Sequence, residues 1–414
     1  MSPHPPSPGT RRWLPWLFVV FALVHAAINV VRPMVSYRAL DMGVPPQGLG
    51  LLSAAFAIAP LIVAMAIGRR VDRQGEIRFV LVGIAVIAGG TVAISAAPVV
   101  GILAVAYSLV GLGHLATVVA TQSLVARGIA TSGYDRAFGH MTFSASLGQL
   151  LGPALAAWVV GQGTPDDVTR TILVAAVLTV AALPFCFAIR ARVPSPERTG
   201  QSTSQQMPLY AILRMPGIAR AILVSLTVLS AVDIVIVYLP ALGTERGWTA
   251  SVVGLLLAVR GGASMASRLF LGRLSARFGR RALLVWSMAI AAISLVALPL
   301  ASTPELTAVV MFAAGMGLGI GQPLTMSWVA AEARPGTRAT ALSVRVMGNR
   351  VGQIVLPVAA GSVAAFAGVG GVLAVTGCAI AISLALVSGG LGSRRDADSG
   401  DSAGPNREPS PHSR

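Results

Sequence analysis

The stretch LGLLSAAFAIAPLIVAMAI, residues 49–67, runs for nineteen residues without a charge. Comparable apolar runs recur along most of the chain. A run of about 18 or more apolar residues reads as a membrane-crossing helix, because about 20 residues at 1.5 Å rise traverse the hydrocarbon. In lipid every backbone N–H and C=O must be satisfied within the protein, which leaves helices or closed barrels. Barrel strands alternate polar and apolar side chains; these runs do not, so they are helices. Only 11% of the 414 residues are charged, whereas a soluble domain carries about a quarter.

The expected fold class is an all-α membrane protein with twelve transmembrane helices. The first six spans are expected at 13–35, 48–68, 78–97, 99–125, 137–161 and 169–190. Pro98 is expected to divide the third from the fourth. The next six fall at 218–243, 250–272, 281–301, 304–330, 339–365 and 369–391. The domains that follow are an N-terminus at 1–12, a first helical bundle at 13–190, a linker at 191–217, a second bundle at 218–391 and a tail at 392–414. The linker is rich in Pro, Ser and Gln, and the tail in Asp, Ser, Pro and Gly, so both are expected to be solvated and the tail disordered.

The net charge of +16 does not mark a nucleic-acid partner. The chain has no Lys, and its Arg residues sit mostly in short segments between apolar runs. That distribution encodes topology. With the N-terminus inside, Arg69, Arg70, Arg73, Arg78, Arg127, Arg136, Arg273, Arg277, Arg280, Arg281 and Arg338 all fall on the cytoplasmic side, and few Arg fall outside. A multi-pass protein of the plasma (inner) membrane with both termini cytoplasmic is expected. TRRWLPWLFVV at the N-terminus faintly resembles a twin-Arg export signal, but it reads better as a first span held by two Arg. Cys186 and Cys378 each lie in an apolar run without a CxxC or Cys/His cluster, so neither a disulfide nor a metal site is expected.

One polar island stands out. GRRVDRQGEIR, Gly68 to Arg78, carries six charges in eleven residues, and GRLSARFGRR recurs at Gly272 to Arg281. An offset of 204 residues maps Gly68 on Gly272, Arg69 on Arg273, Arg73 on Arg277 and Gly75 on Gly279. The same offset maps Gly148 on Gly352, Gln149 on Gln353 and Pro153 on Pro357. Chance apolar similarity would not preserve Gly, Arg, Gln and Pro together. The chain is therefore expected to be two pseudo-symmetric six-helix bundles in parallel orientation, with a shared site between them near the midplane.

The island resembles the loop between helices two and three of the major facilitator superfamily, G-x-x-x-D-[RK]-x-G-[RK]-[RK], through Gly68, Asp72, Arg73 and Gly75. The second copy retains Gly272, Arg277 and Gly279 but has Ala276 where the first has Asp72. YSLVGLG keeps two glycines of the family's R-x-x-x-G-x-G motif, with Tyr107 in place of Arg. GQLLGP, Gly148 to Pro153, is similar to the G-x-x-x-G-P motif associated with drug-exporting antiporters. The resemblance implies a drug/proton antiporter-like transporter whose polar loop acts as a conformational switch. Asp72 would latch the halves through Arg338 or the start of helix eleven. Gly148 and Gly152 form a small-xxx-small pair that admits close helix packing, and Pro153 can bend its helix.

Ionisable groups inside a span cost about 2.5–3.5 kcal/mol on insertion scales, so each raises a functional question. Asp233 is the one acid expected well inside a span, at about the same depth as Arg260 in the next, and the two are expected to pair. Alternatives for Asp233 are a static structural ion pair, a proton carrier or a site for a cationic substrate. His25, Asn29 and Arg32 share one face of the first span, and the offset sets Asn29 opposite Asp233. His114, Gln322 and the face made by Arg345, Asn349 and Gln353 complete the candidate cavity groups. The excess of Arg over acid in the spans hints at an anionic or zwitterionic substrate.

These features lead to a secondary transporter of a small organic molecule, expected to be a proton-coupled exporter working as a monomer without a cofactor. A proton-coupled uptake permease is the alternative, since fold does not set direction. A polytopic enzyme or sensor is a remote third reading, for want of HExxH, paired carboxylates in a span or a Ser/His/Asp set. The chain has no GxxxxGK[ST] loop to power an ATP-driven pump.

Overall fold

A computed structural model describes residues 13–128, 134–191, 209–333 and 338–389. Among them the regular structure is helical. The first half comprises α1 (Leu14–Asp41), α2 (Pro46–Gln74), α3 (Glu76–Ser95), α4 (Val100–Gly128), α5 (Tyr134–Val160), α6 (Pro165–Val180) and α7 (Leu183–Arg190). A short α8 (Leu209–Leu213) precedes the second half. That half comprises α9 (Ile218–Glu245), α10 (Ala250–Leu269), α11 (Leu271–Phe278), α12 (Arg280–Ala297), α13 (Pro304–Glu332) and α14 (Arg338–Gly389).

Among the described residues, eleven helical segments are long and apolar enough to cross a membrane. The last of them breaks at Gly368, whose φ of 64° and ψ of −174° lie outside the helical region. It therefore supplies two spans, and the described residues hold twelve. The sixth span is α6 and α7 together, a 26-residue segment with a turn near Ala181 and Ala182. Pro98 lies in the connection between α3 and α4, as the sequence predicts.

Local chemistry sets the helix ends. Thr164 and Asp167 form a reciprocal capping box at the start of α6, and Thr249 and Thr303 cap α10 and α13. The two copies of the polar island end alike. Gly75 (φ 90°) closes α2 and Gly279 (φ 76°) closes α11, both in a region that a side chain strongly disfavours. This explains why the island keeps a glycine at equivalent points in both halves.

The linker differs in part from its expected form. Ile212 and Met215 are buried against Ile218, Ile222, Val329 and Val344. The apolar segment LYAILRM at 209–215 thus packs on the second bundle, and the rest of the expected linker, from 192 to 208, lies outside the described residues.

The halves meet along α1 with α9, α2 with α14, and α5 with α10. Contact is tight toward the face opposite the Arg-rich loops. A methyl placed on Gly50 would collide with the Pro357 carbonyl, and one on Gly254 would lie 2.8 Å from Ala157 Cβ. Ser251 donates from its amide to the Gly161 carbonyl (3.1 Å) and from Oγ to the Ala157 carbonyl (2.7 Å). At the Arg-rich ends, methyls on Gly68, Gly139 and Gly272 would meet nothing within 4 Å. Close backbone contact between the halves is therefore seen at the face opposite the Arg-rich loops.

A candidate translocation site between the halves

An ion pair in the buried centre of the molecule joins the two halves. Arg32 Nη1 of α1 donates to Asp233 Oδ1 of α9 at 2.6 Å, and both side chains are buried. Asp233 also accepts at Oδ2 from Gln353 Nε2 of α14 (2.5 Å). Gln353 in turn accepts from Arg350 Nη1 (3.1 Å). Three helices from two bundles therefore converge on one carboxylate. The guanidinium of Arg32 also lies 5.2 Å from the Phe56 ring centre.

The expected Asp233–Arg260 pair is corrected here. Equal depth in consecutive helices does not fix the direction of the side chains, and Arg32 reaches the carboxylate from the opposite half. Arg260 is not among the ion-pair and hydrogen-bond partners of Asp233. It is 1% exposed, and its Nε and Nη2 have no hydrogen-bond partner. Asn29, the residue the offset sets opposite Asp233, turns back and donates to the His25 carbonyl (2.8 Å). Arg32, nearly a turn further along α1, is the residue that meets Asp233.

A second polar cluster lies within the C-terminal half. Gln322 Nε2 of α13 donates to the Ser225 carbonyl of α9 (2.6 Å). Gln322 Oε1 accepts from Arg345 Nη1 (3.0 Å) and Asn349 Nδ2 (3.4 Å), and Arg345 Nη1 also donates to Ser225 Oγ (2.7 Å). Ser225 and Asp233 are eight positions apart on α9, as are Arg345 and Gln353 on α14. At 1.5 Å per residue, this cluster sits about 12 Å nearer the Arg-rich face than the ion pair.

His25 and His114 come together in the N-terminal half, with ring centres 5.1 Å apart in an edge-on arrangement. His25 Nδ1 contacts the Phe21 carbonyl at 2.8 Å, whereas neither ring nitrogen of His114 has a partner. Gly148 and Gly152 of α5 pack on α1 beside this group. A methyl on Gly148 would lie 2.6 Å from His25 Cβ, and one on Gly152 would lie 3.0 Å from Asn29 Cβ. Pro153 lies inside α5 without ending it.

In the switch loops, Gly68, Gly75, Gly272, Arg277 and Gly279 lie at helix ends on the Arg-rich face, and Arg277 rests over the Phe278 ring at 5.5 Å. The side chains of Asp72, Arg73 and Arg338 lie outside the described residues.

Two contributors were not singled out from the sequence. Ser225 completes the Arg345–Gln322 cluster. Arg268 of α10 bridges the halves, donating from Nη1 to Ser146 Oγ of α5 (2.6 Å) and from Nε to the Gly319 carbonyl (2.9 Å). Its spacing of eight from Arg260 places both on nearly the same helix face, which was the available signal. No group of three or more His, Cys, Asp or Glu suited to a metal occurs among the described residues.

Comparison with known proteins agrees with this architecture. The sequence profile of the Major Facilitator Superfamily matches residues 17–242 and 221–411. A curated relative, "Multidrug resistance protein Stp" of Mycobacterium tuberculosis, is 29% identical over 147 residues, covering 35% of this chain and 27% of that protein. The match thus spans about a quarter of the relative's length. Among solved structures, the nucleoside transporter NupG superposes with a TM-score of 0.71 at 11% identity, over 91% of this chain and 98% of NupG. A bacterial homologue of the human lysosomal transporter Spinster, inward-facing and occupied, gives 0.72 at 17% identity, over 94% and 98% of the two chains. By its profile and its paired six-span halves, this chain belongs to the Major Facilitator Superfamily of membrane transporters.

Proposed function

We propose that the protein exports a small organic molecule from the cytoplasm across the cell membrane, driven by proton entry, through alternating access of the two halves. The observation that carries this reading is the Arg32–Asp233 ion pair. It is buried, it spans the two halves, and it uses the one acid set deep in a span among the described residues. Protonation of Asp233 removes one charge of the pair and weakens its hold on Arg32. The interface between the halves then changes strength with proton occupancy, as coupling requires.

The Arg-rich face is taken as cytoplasmic. The described state then holds the halves in close backbone contact on the outside. Export is favoured by the GQLLGP segment and by the distant relative named as a multidrug resistance protein. In the same reading Asp72 latches the Arg-rich face through Arg338 or the N-terminus of α14 when that face closes.

The test is transport in proteoliposomes under an imposed pH gradient, comparing wild type with Asp233→Asn over neutral, cationic and anionic organic compounds. Gradient-driven movement against the proton flow, lost in the variant, is expected. Gradient-driven movement that survives Asp233→Asn removes this carboxylate from the mechanism. Movement together with protons assigns uptake instead.

A further inference from the structure

Arg260 is the largest of the fully buried side chains, and its Nε and Nη2 lack any protein partner. Those two nitrogens form the side edge of the guanidinium, whose parallel N–H groups match the two oxygens of a carboxylate. A buried polar group left unsatisfied calls for an explanation, and a missing ligand is one of the few available.

The surrounding charge points the same way. Arg32, Arg260 and Arg345 are buried and Arg350 is half-buried, with Asp233 as the acid among them. Asp233 is already held by Arg32 and Gln353. Arg268, further along α10, is bound to Ser146 and the Gly319 carbonyl, so it does not compete for the Arg260 edge. Positive charge at mid-span is costly unless paired, and this protein carries more of it than its own acid neutralises. The surplus is also confined to one half. The 204-residue offset sets Phe56 in the place of Arg260, Met141 in that of Arg345 and Phe21 in that of Ser225. The N-terminal half thus presents aromatic and apolar groups where the C-terminal half presents hydrogen-bond donors.

We propose that the Nε–Nη2 edge of Arg260 is a docking point for the carboxylate of an organic anion, with Phe56 and the N-terminal half meeting its apolar part. Arg345, one cluster nearer the Arg-rich face and also with a free Nε, is an earlier contact on the way in. Identifying this anion as the cargo rests on the transport reading above; the binding site itself does not.

The test is thermal unfolding of the full chain in detergent micelles, without any gradient. Acetate, benzoate and succinate are titrated, each against its uncharged amide, with benzylamine as the cationic control. At least one carboxylate is expected to raise Tm saturably, while its amide and benzylamine do not. Arg260→Gln is expected to raise the half-saturating concentration about tenfold or more, the size of one lost charge-assisted contact. Arg260→Lys, which keeps the charge but not the two-pronged edge, is expected to raise it several-fold, and it serves as the test if Arg260→Gln does not fold. The proposal is overturned if no carboxylate outperforms its amide, or if the substituted protein binds as wild type does. Carboxylate binding without proton-driven transport would leave this site standing and remove the proposed function; proton-driven transport of compounds with no anion preference would do the reverse.

Discussion

Arg32 Nη1 and Asp233 Oδ1 lie 2.6 Å apart although 201 positions separate them in the chain. Each belongs to a different half, so their contact fastens the two halves to each other. Removing one partner of a buried pair leaves an uncompensated charge and costs about 3–5 kcal/mol, while replacing both partners costs much less. Arg32→Met alone and Asp233→Leu alone are therefore each expected to lower stability by about that amount, and the double substitution by clearly less than their sum. Unfolding in mixed micelles titrated with a denaturing detergent measures the three values. Simple additivity would show that the pair is not coupled.

The contact between the halves, from mid-span to the face opposite the Arg-rich loops, depends on small residues at helix crossings. A methyl on Gly50 would overlap the Pro357 carbonyl, and one on Gly261 would overlap the Gln149 carbonyl. Both contacts are with backbone, which cannot swing aside. Gly50→Ala and Gly261→Ala are expected to disfavour the described state and to lengthen the separation of spin labels on Asp166→Cys and Glu305→Cys, two exposed sites at that face. The labels are placed in a background lacking Cys186 and Cys378. An unchanged distance distribution would mean that the halves close by another contact.

Gly148 is a different case, because it packs within its own half. Its neighbours are His25 Cβ and the Ala26 amide. Gly148→Val is expected to cost about 1–3 kcal/mol through overpacking and to push α1 away from α5, disturbing His25 and the Arg32–Asp233 contact two turns further on. The expected result is a lower Tm together with weaker coupling between Arg32 and Asp233 in the double-substitution comparison above. Full coupling in this background would show that α1 holds its position without α5.

The latch assigned to the polar island gives a fourth expectation. Asp72→Asn keeps the shape of the side chain and removes its charge. It is expected to favour opening at the Arg-rich face, read as faster modification of a cysteine placed at Met326, an exposed position on α13 toward that face. Equal rates in wild type and variant would leave Asp72 with a role in topology alone.

The architecture was legible because lipid constrains sequence so heavily. Twelve apolar runs, the 204-residue repeat and the glycines at Gly75 and Gly279 are all direct consequences of helix length, symmetry and backbone geometry. The partner of Asp233 was not legible. Periodicity reports which face of a helix a residue occupies, but not how two bundles are rotated against each other. Asn29 and Arg32 share a face, and which of them reaches across is decided by the crossing of α1 and α9. Likewise, the apolar segment before Ile218 read as linker because Pro, Ser and Gln precede it, while its burial under α13 and α14 comes from the tertiary fold.

The central claim is that proton occupancy of Asp233 shifts the balance between the two arrangements of the halves. Spin-label distances test it most directly and need no substrate. One label pair at Gln74→Cys and Ala276→Cys reports the Arg-rich face, and the Asp166→Cys and Glu305→Cys pair reports the other; all four sites are exposed. In lipid nanodiscs, acidification is expected to move the two wild-type distributions in opposite directions, one shortening as the other lengthens. In Asp233→Asn both distributions are expected to match the acidic wild type at every pH. A variant whose distances respond to pH as the wild type does would contradict the claim.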